Sequence, residues 1–431
     1  MSKSFHRDRF FWVVAVQTAV VNFYLGGFGP AQSLLRADQG TSLTIAGLHG
    51  TAMGVASIFA GWANPRIAHK YGRNHASWIG LSIFIAGLTL FVISPPVYIT
   101  LPATFITGVG TSVVINTMLT KMSSHYGKAA EVAIPQANGI ASVGFVTGTA
   151  LIGTIAIVLA WQALGLLLTV ALARYFDYDL QLLFSVDDAD LAKVRELPAW
   201  STGATVLISF VPLFVATLIA YRYLLKRPIK QIFTSAEKYS WRKTWIGFAA
   251  LSLISLVLGL GDFIINNGDY TWSWNASAFL PYLLICLTLL PIQTTAEELF
   301  FRGWLQQWLD NGKKKQWTVS TLSGAFFALP HMANPEVAGN QIYLPIISYG
   351  ATGFMLAWVT YRDKSLELAI GAHFANNFLT GLLVSTEDSA LPSVSLYTTP
   401  EVPWGSAAFF SVVMVPIFIW LTKKWSDKVS S

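Results

Sequence analysis

Residues 74–120 read NHASWIGLSIFIAGLTLFVISPPVYITLPATFITGVGTSVVINTMLT, forty-seven positions between Arg73 and Lys121 without one Asp, Glu, Lys or Arg. A helix rises about 1.5 Å per residue against a hydrocarbon layer of about 30 Å, so one crossing needs about 20 apolar residues and this stretch has room for two. The uncharged stretch between Glu131 and Arg174 is of similar length. Working outward, further apolar runs lie near 10–31, 43–63, 202–221, 244–264, 278–300, 317–333, 342–360, 366–385 and 405–422. With 76–96, 99–120 and one or two runs within 132–173, they make twelve or thirteen candidate spans. No strand-period alternation competes with them. The expected fold is an all-α, polytopic membrane protein of about 12–13 transmembrane helices, a multi-pass integral protein of the cell membrane if the source is bacterial.

Composition points the same way. Charged residues are 12% of the 431, half the roughly 25% of a soluble domain. Hydrophobic residues make up 54% and the mean hydropathy is +0.53. A soluble enzyme, a disordered tail and a nucleic-acid binder are all disfavoured, and no nucleic-acid partner is expected. The net charge of +6 comes from Lys and Arg between apolar runs, where membrane orientation accounts for it. One cysteine, Cys286, allows neither an intramolecular disulfide nor a Cys-based zinc site. The amino terminus, with His6, Arg7 and Arg9 before a run to about Ala31, reads as a first membrane anchor more than a secretory signal.

Basic loops set the orientation. The amino terminus, Arg66, Lys70 and Arg73, the 222–243 loop, Lys313–Lys315, and Lys423 with Lys424 should all face the cytoplasm. The acidic stretch 177–196 and the 387–401 loop should then lie outside. A conflict follows: two crossings within 132–173 would put the basic 222–243 loop outside. Either 132–173 makes a net single passage, or the halves follow separate rules at a junction between about 150 and 200.

Ionisable residues inside a bilayer are expensive, so each must pair, line a cavity or act. TTAEELFFRGWLQQWL places Glu297, Glu298 and Arg302 at the end of an apolar run, with Glu298 and Arg302 four apart on one helical face and Glu297 rotated about 100° away. A Glu–Arg pair at a helix end is more often a solvated cap. SGAFFALPHMANP puts His331 four residues after Phe327, and LELAIGAHFANNF puts His373 and Asn377 on one face with Asn376 beside them. A lone histidine is more often a satisfied core residue, and polar pairs between membrane helices contribute only about 0.6 kcal/mol on average. Together, however, these segments supply a carboxylate, two imidazoles and an amide, more polar chemistry than packing needs.

This set and its order resemble the CPBP family, the membrane-embedded type II CAAX prenyl endopeptidases and bacteriocin-processing proteins. Its three motifs are present: Glu-Glu-x-x-x-Arg at Glu297, Glu298 and Arg302, Phe-x-x-x-His at Phe327 and His331, and His-x-x-x-Asn at His373 and Asn377. The likeness covers roughly residues 180–425, and residues 176–431 are expected to form a CPBP-type intramembrane protease domain. It implies catalytic roles for Glu297, His331, His373 and Asn377, with Glu298, Arg302 and Asn376 in support. Peptide hydrolysis needs an activated water and donors aimed at the developing oxyanion. By resemblance, Glu297 with His331 would polarise the water, His373 with Asn377 would donate to the oxyanion, and Glu298 with Arg302 would fix Glu297. No cofactor is then required. The alternative is zinc held by Glu297, His331 and His373, although the His-Glu-x-x-His spacing of a zinc protease is absent. A site within the bilayer suits a membrane-associated peptide or protein as substrate: a lipid-attached terminus, a toxin precursor or another membrane protein.

Residues 1–175 look similar to the first half of a major facilitator transporter. PRIAHKYGRN parallels that superfamily's loop at Lys70, Gly72 and Arg73, but departs from it at Pro65, His69 and Asn74. Such carriers bind substrate between two halves. Only one is present, and its buried ionisable candidate is His49, for which packing is the commoner role. This half therefore reads as a docking or delivery module or a fusion remnant. A transporter, and a non-catalytic immunity or scaffold protein of the same fold, are the alternative readings of the whole chain.

Overall fold

The computed structural model describes residues 6–93, 96–179, 197–266, 269–310, 314–337, 341–386 and 389–427. Asp187, Asp188, Asp190 and Glu196 of the acidic stretch, and Lys313, lie outside the described residues. The chain is all-α apart from one small sheet, and divides into two compact units, residues 1–156 and 157–431.

The first unit is built on α1 (Arg9–Gln39), α2 (Leu43–Ile93), α3 (Val97–Tyr126), a 3-10 turn (Gly127–Ala129) and the first part of α4 (Ala130–Tyr175), whose residues from Ile157 on belong to the second unit. α2 breaks once, at Gly72, whose φ of 77° and ψ of 156° are open to glycine and strained for other residues. The break falls within the basic loop, between the two apolar runs read at 43–63 and 76–96. The 132–173 stretch is one uninterrupted helix, so a double crossing is not built there. Its glycines act by size: a Cβ on Gly144 would lie 2.1 Å from the Ala19 carbonyl oxygen, and one on Gly148 1.9 Å from that of Phe23. α1 and α4 therefore touch backbone to backbone, the close packing that small residues give membrane helices. His49 is fully buried, with Nε2 2.9 Å from the Thr100 hydroxyl, which satisfies it within the packed interior.

The second unit contains α5 (Ala199–Ile208), α6 (Val211–Tyr223), α7 (Lys230–Phe233), α8 (Trp241–Ile265), α9 (Ala276–Thr288), α10 (Leu290–Glu298), a π-helical stretch (Leu299–Leu305), α11 (Gln306–Leu309), α12 (Gln316–His331), α13 (Tyr343–Asp363), α14 (Glu367–Leu383) and α15 (Trp404–Asp427). Strands β1 (Thr271–Trp272), β2 (Val384–Thr386) and β3 (Tyr397–Thr399) form a sheet in the order β1-β3-β2, with β1 antiparallel and β2 parallel to β3. α14 is clamped against α8 by glycine: a Cβ on Gly371 would sit 1.8 Å from the Thr244 carbonyl oxygen, and one on Gly247 2.2 Å from that of Leu368. Leu299, Phe300, Phe301, Trp304 and Leu305 form one buried cluster with Tyr221, Ile232 and Phe327.

By length and composition, eight stretches among the described residues are apolar enough to cross a membrane. The sequence expectation of twelve or thirteen is higher for two reasons. Val97–Tyr175, one stretch by this criterion, contains both α3 and α4. α12 and α14 have only 16 and 17 residues, and α13, though longer, is not among the eight. These helices line the site described next.

Candidate active site

Three helical segments bring the ionisable residues of the second unit together. On the first, α10 passes into the π-helical stretch immediately after Glu298. Such widened turns, with i→i+5 hydrogen bonds, are rare and are frequently found at functional sites. Glu298 and Arg302 are both 0% exposed, and Arg302 Nη1 donates to Glu298 Oε1 at 2.8 Å. Arg302 Nη2 donates to the Gly353 carbonyl of α13 at 3.1 Å, and the guanidinium carbon lies 4.4 Å from the centre of the Phe327 ring. The expected pair thus exists, but as an enclosed ion pair and not a solvated cap. Desolvating two charges is tolerable only when each is held by further partners.

The second segment, α14, supplies one of those partners. His373 Nδ1 lies 2.7 Å from Glu298 Oε1. An ionised carboxylate only accepts, so Nδ1 carries the proton and Nε2 is turned the other way. There it faces Glu297 Oε2 at 3.6 Å, too far for a direct hydrogen bond and a gap that one water can bridge. Glu298 is therefore the hub that anchors Arg302 and orients His373.

Glu297 is fixed from its own helix. Gln293, one turn earlier, donates through Nε2 to Glu297 Oε1 at 2.7 Å and accepts from Asn377 Nδ2 at 3.2 Å through its own carbonyl oxygen. Asn376 donates to Asn377 Oδ1 at 3.1 Å, which leaves the Asn377 amide nitrogen toward Gln293. Sequence reading missed Gln293. Its one signal was its place: an amide four residues before Glu297 in an apolar run.

The third segment, α12, ends at His331. Its Nδ1 lies 2.6 Å from the Phe327 carbonyl oxygen, so this nitrogen donates and Nε2 is left as the acceptor. The ring stacks on Tyr349 of α13, with centroids 4.4 Å apart and planes at 31°. His331 is within electrostatic reach of both Glu297 and His373. Phe327 spaces the two imidazoles, its ring centre 4.5 Å from that of His331 and 5.8 Å from that of His373. The motif thus contributes two working rings, not one.

All seven residues singled out in the sequence belong to one connected group. Glu297 faces His373, and Asn377 reaches Gln293, because Glu298 rotates the His373 ring and Tyr349 holds that of His331. Glu297 and His373 are 8% and 5% exposed, whereas His331, Asn376 and Asn377 are half-buried. The zinc set of Glu297, His331 and His373 would have to converge on one point. Among the described residues no three His, Cys, Asp or Glu side chains are arranged to hold a metal ion.

Comparison with known proteins gives two matches. The family model for Type II CAAX prenyl endopeptidase Rce1-like proteins matches residues 276–379, which contain all three motifs. The protein YyaK of Bacillus subtilis (strain 168), described as uncharacterized, is 34% identical over 218 residues, 49% of this chain and 72% of that protein. No solved structure matches the chain. Neither match supports the likeness of residues 1–175 to a major facilitator half.

Proposed function

Because the chain belongs to the Type II CAAX prenyl endopeptidase Rce1-like family, we propose that it is an intramembrane endopeptidase that hydrolyses a peptide bond of a membrane-associated peptide or protein. The observation that carries this reading is the opposition of Glu297 Oε2 and His373 Nε2 across 3.6 Å, each fixed from behind by a different buried partner.

The two atoms are acceptors for a single water, and of the two it is the Glu297 carboxylate that carries the negative charge. As the water oxygen attacks the substrate carbonyl carbon, Glu297 takes its proton, and the carbonyl π electrons move onto oxygen. The Asn377 side-chain N–H not used by Gln293 supplies a donor for the resulting oxyanion. When the carbon–nitrogen bond breaks, the proton held by Glu297 passes to the leaving nitrogen, so one water is consumed and the enzyme is unchanged. His331, on the half-buried side, bounds the space into which the peptide comes. Glu298 and Arg302 touch no reacting atom; they act through His373.

The test is Glu297→Gln, which keeps the side-chain shape and its bond with Gln293. Purified full-length protein carrying it should lose at least about a hundredfold in peptide hydrolysis, as loss of a general base does, with unchanged folding in detergent. Hydrolysis at the wild-type rate would dismiss the mechanism.

A further inference from the structure

The two ends of the 157–431 unit differ in charge. At one end the termini of α6, α8, α11, α12, α13, α14 and α15 meet. Lys243 Nζ lies 3.6 Å from Asp363 and 4.0 Å from Glu367, and Arg227 donates to Gln307 at 3.3 Å. Ser235 N donates to the Lys364 carbonyl at 3.0 Å, Tyr361 to that of Lys314 at 3.3 Å, and Arg362 to that of Ile419 at 3.2 Å. Lys423 and Lys424 complete this basic end at the close of α15. The other end holds the sheet and the segments around 269–275, 332–337 and 389–403, with Asp262, Asp269, Glu336 and Glu401. Among the described residues of that end, Arg174 is the one Lys or Arg. Loops rich in Lys and Arg stay in the cytoplasm, so the acidic end is extracytoplasmic.

The site spans a range of depths: Glu297 and His373 lie deeper, about 18 and 9 Å from the basic ends of their segments, and His331, Tyr349 and Asn377 form its rim toward the acidic end. His331 closes α12, fifteen residues and about 22 Å from its start at the basic end; Tyr349 is fourteen residues and about 21 Å from the basic end of α13, and Asn377 about 15 Å from that of α14. What lies on either side differs in kind. Toward the basic end, Arg302, Gln306, Ser323 and Ser320 are between 0% and 4% exposed, sealed beneath Phe300, Phe301 and Trp304. Toward the acidic end the polar side chains are half-open: His331, then Tyr349, which donates to Glu336 Oε1 at 2.8 Å, and Asn334, which donates to the same oxygen at 2.9 Å. Glu336 Oε2 accepts from the Ala390 amide at 2.8 Å, and Trp404 donates to the Glu336 carbonyl at 3.1 Å. This cluster stands between the candidate site and the acidic face.

We infer that the site opens to the extracytoplasmic face, past His331 and the Glu336 cluster, and that its substrate is a peptide segment presented from outside the cytoplasm. An exported peptide or the outer juxtamembrane segment of another membrane protein has the required position. A lipid-modified carboxyl terminus in the cytoplasm does not. This rests on the proteolytic reading for its chemistry, but the sidedness is a property of the fold and can be measured without activity.

Cys286 is the chain's single cysteine and is buried, so Cys286→Ala provides a background without thiols. In that background Ala333→Cys, Glu401→Cys and Lys315→Cys each introduce one exposed thiol. A membrane-impermeant maleimide should label the first two in intact cells and the third only after permeabilisation. Labelling of Ala333→Cys only after permeabilisation, or from neither side, overturns the inference; if that variant does not accumulate, Glu401→Cys decides the orientation. In a second arm, an impermeant, internally quenched peptide library is added to vesicles bearing the full chain. Right-side-out vesicles should hydrolyse it at least tenfold faster than inside-out ones, and the reverse ratio overturns the inference. Absence of hydrolysis in both defeats the proteolytic reading, and the labelling result then stands alone on sidedness.

Discussion

Replace Arg302 by Met and a carboxylate is stranded. Glu298 is 0% exposed and its Oε1 accepts from Arg302 at 2.8 Å and from His373 at 2.7 Å, so without the guanidinium it keeps one neutral donor for a full negative charge. Removing one partner of an enclosed pair destabilises by about 3–5 kcal/mol, whereas replacing both by apolar groups of similar volume is often neutral. Arg302→Met and Glu298→Leu should each therefore lose several kcal/mol, and the double variant should recover most of it, with a coupling energy on the order of 3 kcal/mol. Hydrolysis should behave differently: the double variant stays inactive, since nothing then holds the proton on His373 Nδ1 and the ring is free to turn. The assay is reversible unfolding of full-length protein in mixed micelles, read beside peptide cleavage by the same samples. A loss of less than about 1 kcal/mol in Arg302→Met would refute the reasoning, because it would mean that the pair is hydrated or neutral. Recovery of hydrolysis in the double variant would refute the orienting role of Glu298.

Gln293→Leu removes the hydrogen bonds to Glu297 and Asn377, together about 1–3 kcal/mol, so kcat/KM should fall about 10- to 100-fold with little change in folding; steady-state kinetics checks it, and an unchanged kcat/KM would show that Gln293 positions neither group. Prolonged incubation with a strong zinc chelator should leave hydrolysis intact; inactivation reversed by added zinc would instead support Glu297, His331 and His373 as ligands. Gly371→Ala drives a methyl to within 1.8 Å of the Thr244 carbonyl oxygen, which forces α8 and α14 apart. It should destabilise by about 1–3 kcal/mol and weaken hydrolysis through displacement of His373, measurable as a lower melting temperature and a reduced kcat.

How much of this was legible beforehand differs from residue to residue. Glu297, Glu298 and Arg302 were recognisable because charge in an apolar run is rare, and His331, His373 and Asn377 because their spacing puts them on helical faces. Gln293 and Tyr349 were not, since an amide and a phenol are unremarkable in any membrane helix. α12 and α14, with 16 and 17 residues, are at the short limit of what a crossing needs, so length alone could not separate them from buried core helices. The ambiguous 132–173 stretch was also beyond reading, because apolar composition shows that a segment is buried in lipid without showing where it turns.

Hydropathy and charge, both local properties of the chain, were enough to establish an all-α polytopic membrane protein with basic residues gathered in a few loops, and motif order was enough to point to the family whose model matches residues 276–379. Which nitrogen of His373 faces Glu297, that Asn377 leans on Gln293, and that the half-open polar residues lie on the acidic side were decided by packing between α10, α12, α13 and α14. Those contacts join residues 51 to 84 positions apart. Side-chain direction at such distances depends on helix rotation and close approach, which glycine contacts and one enclosed ion pair set together, and no local pattern encodes them.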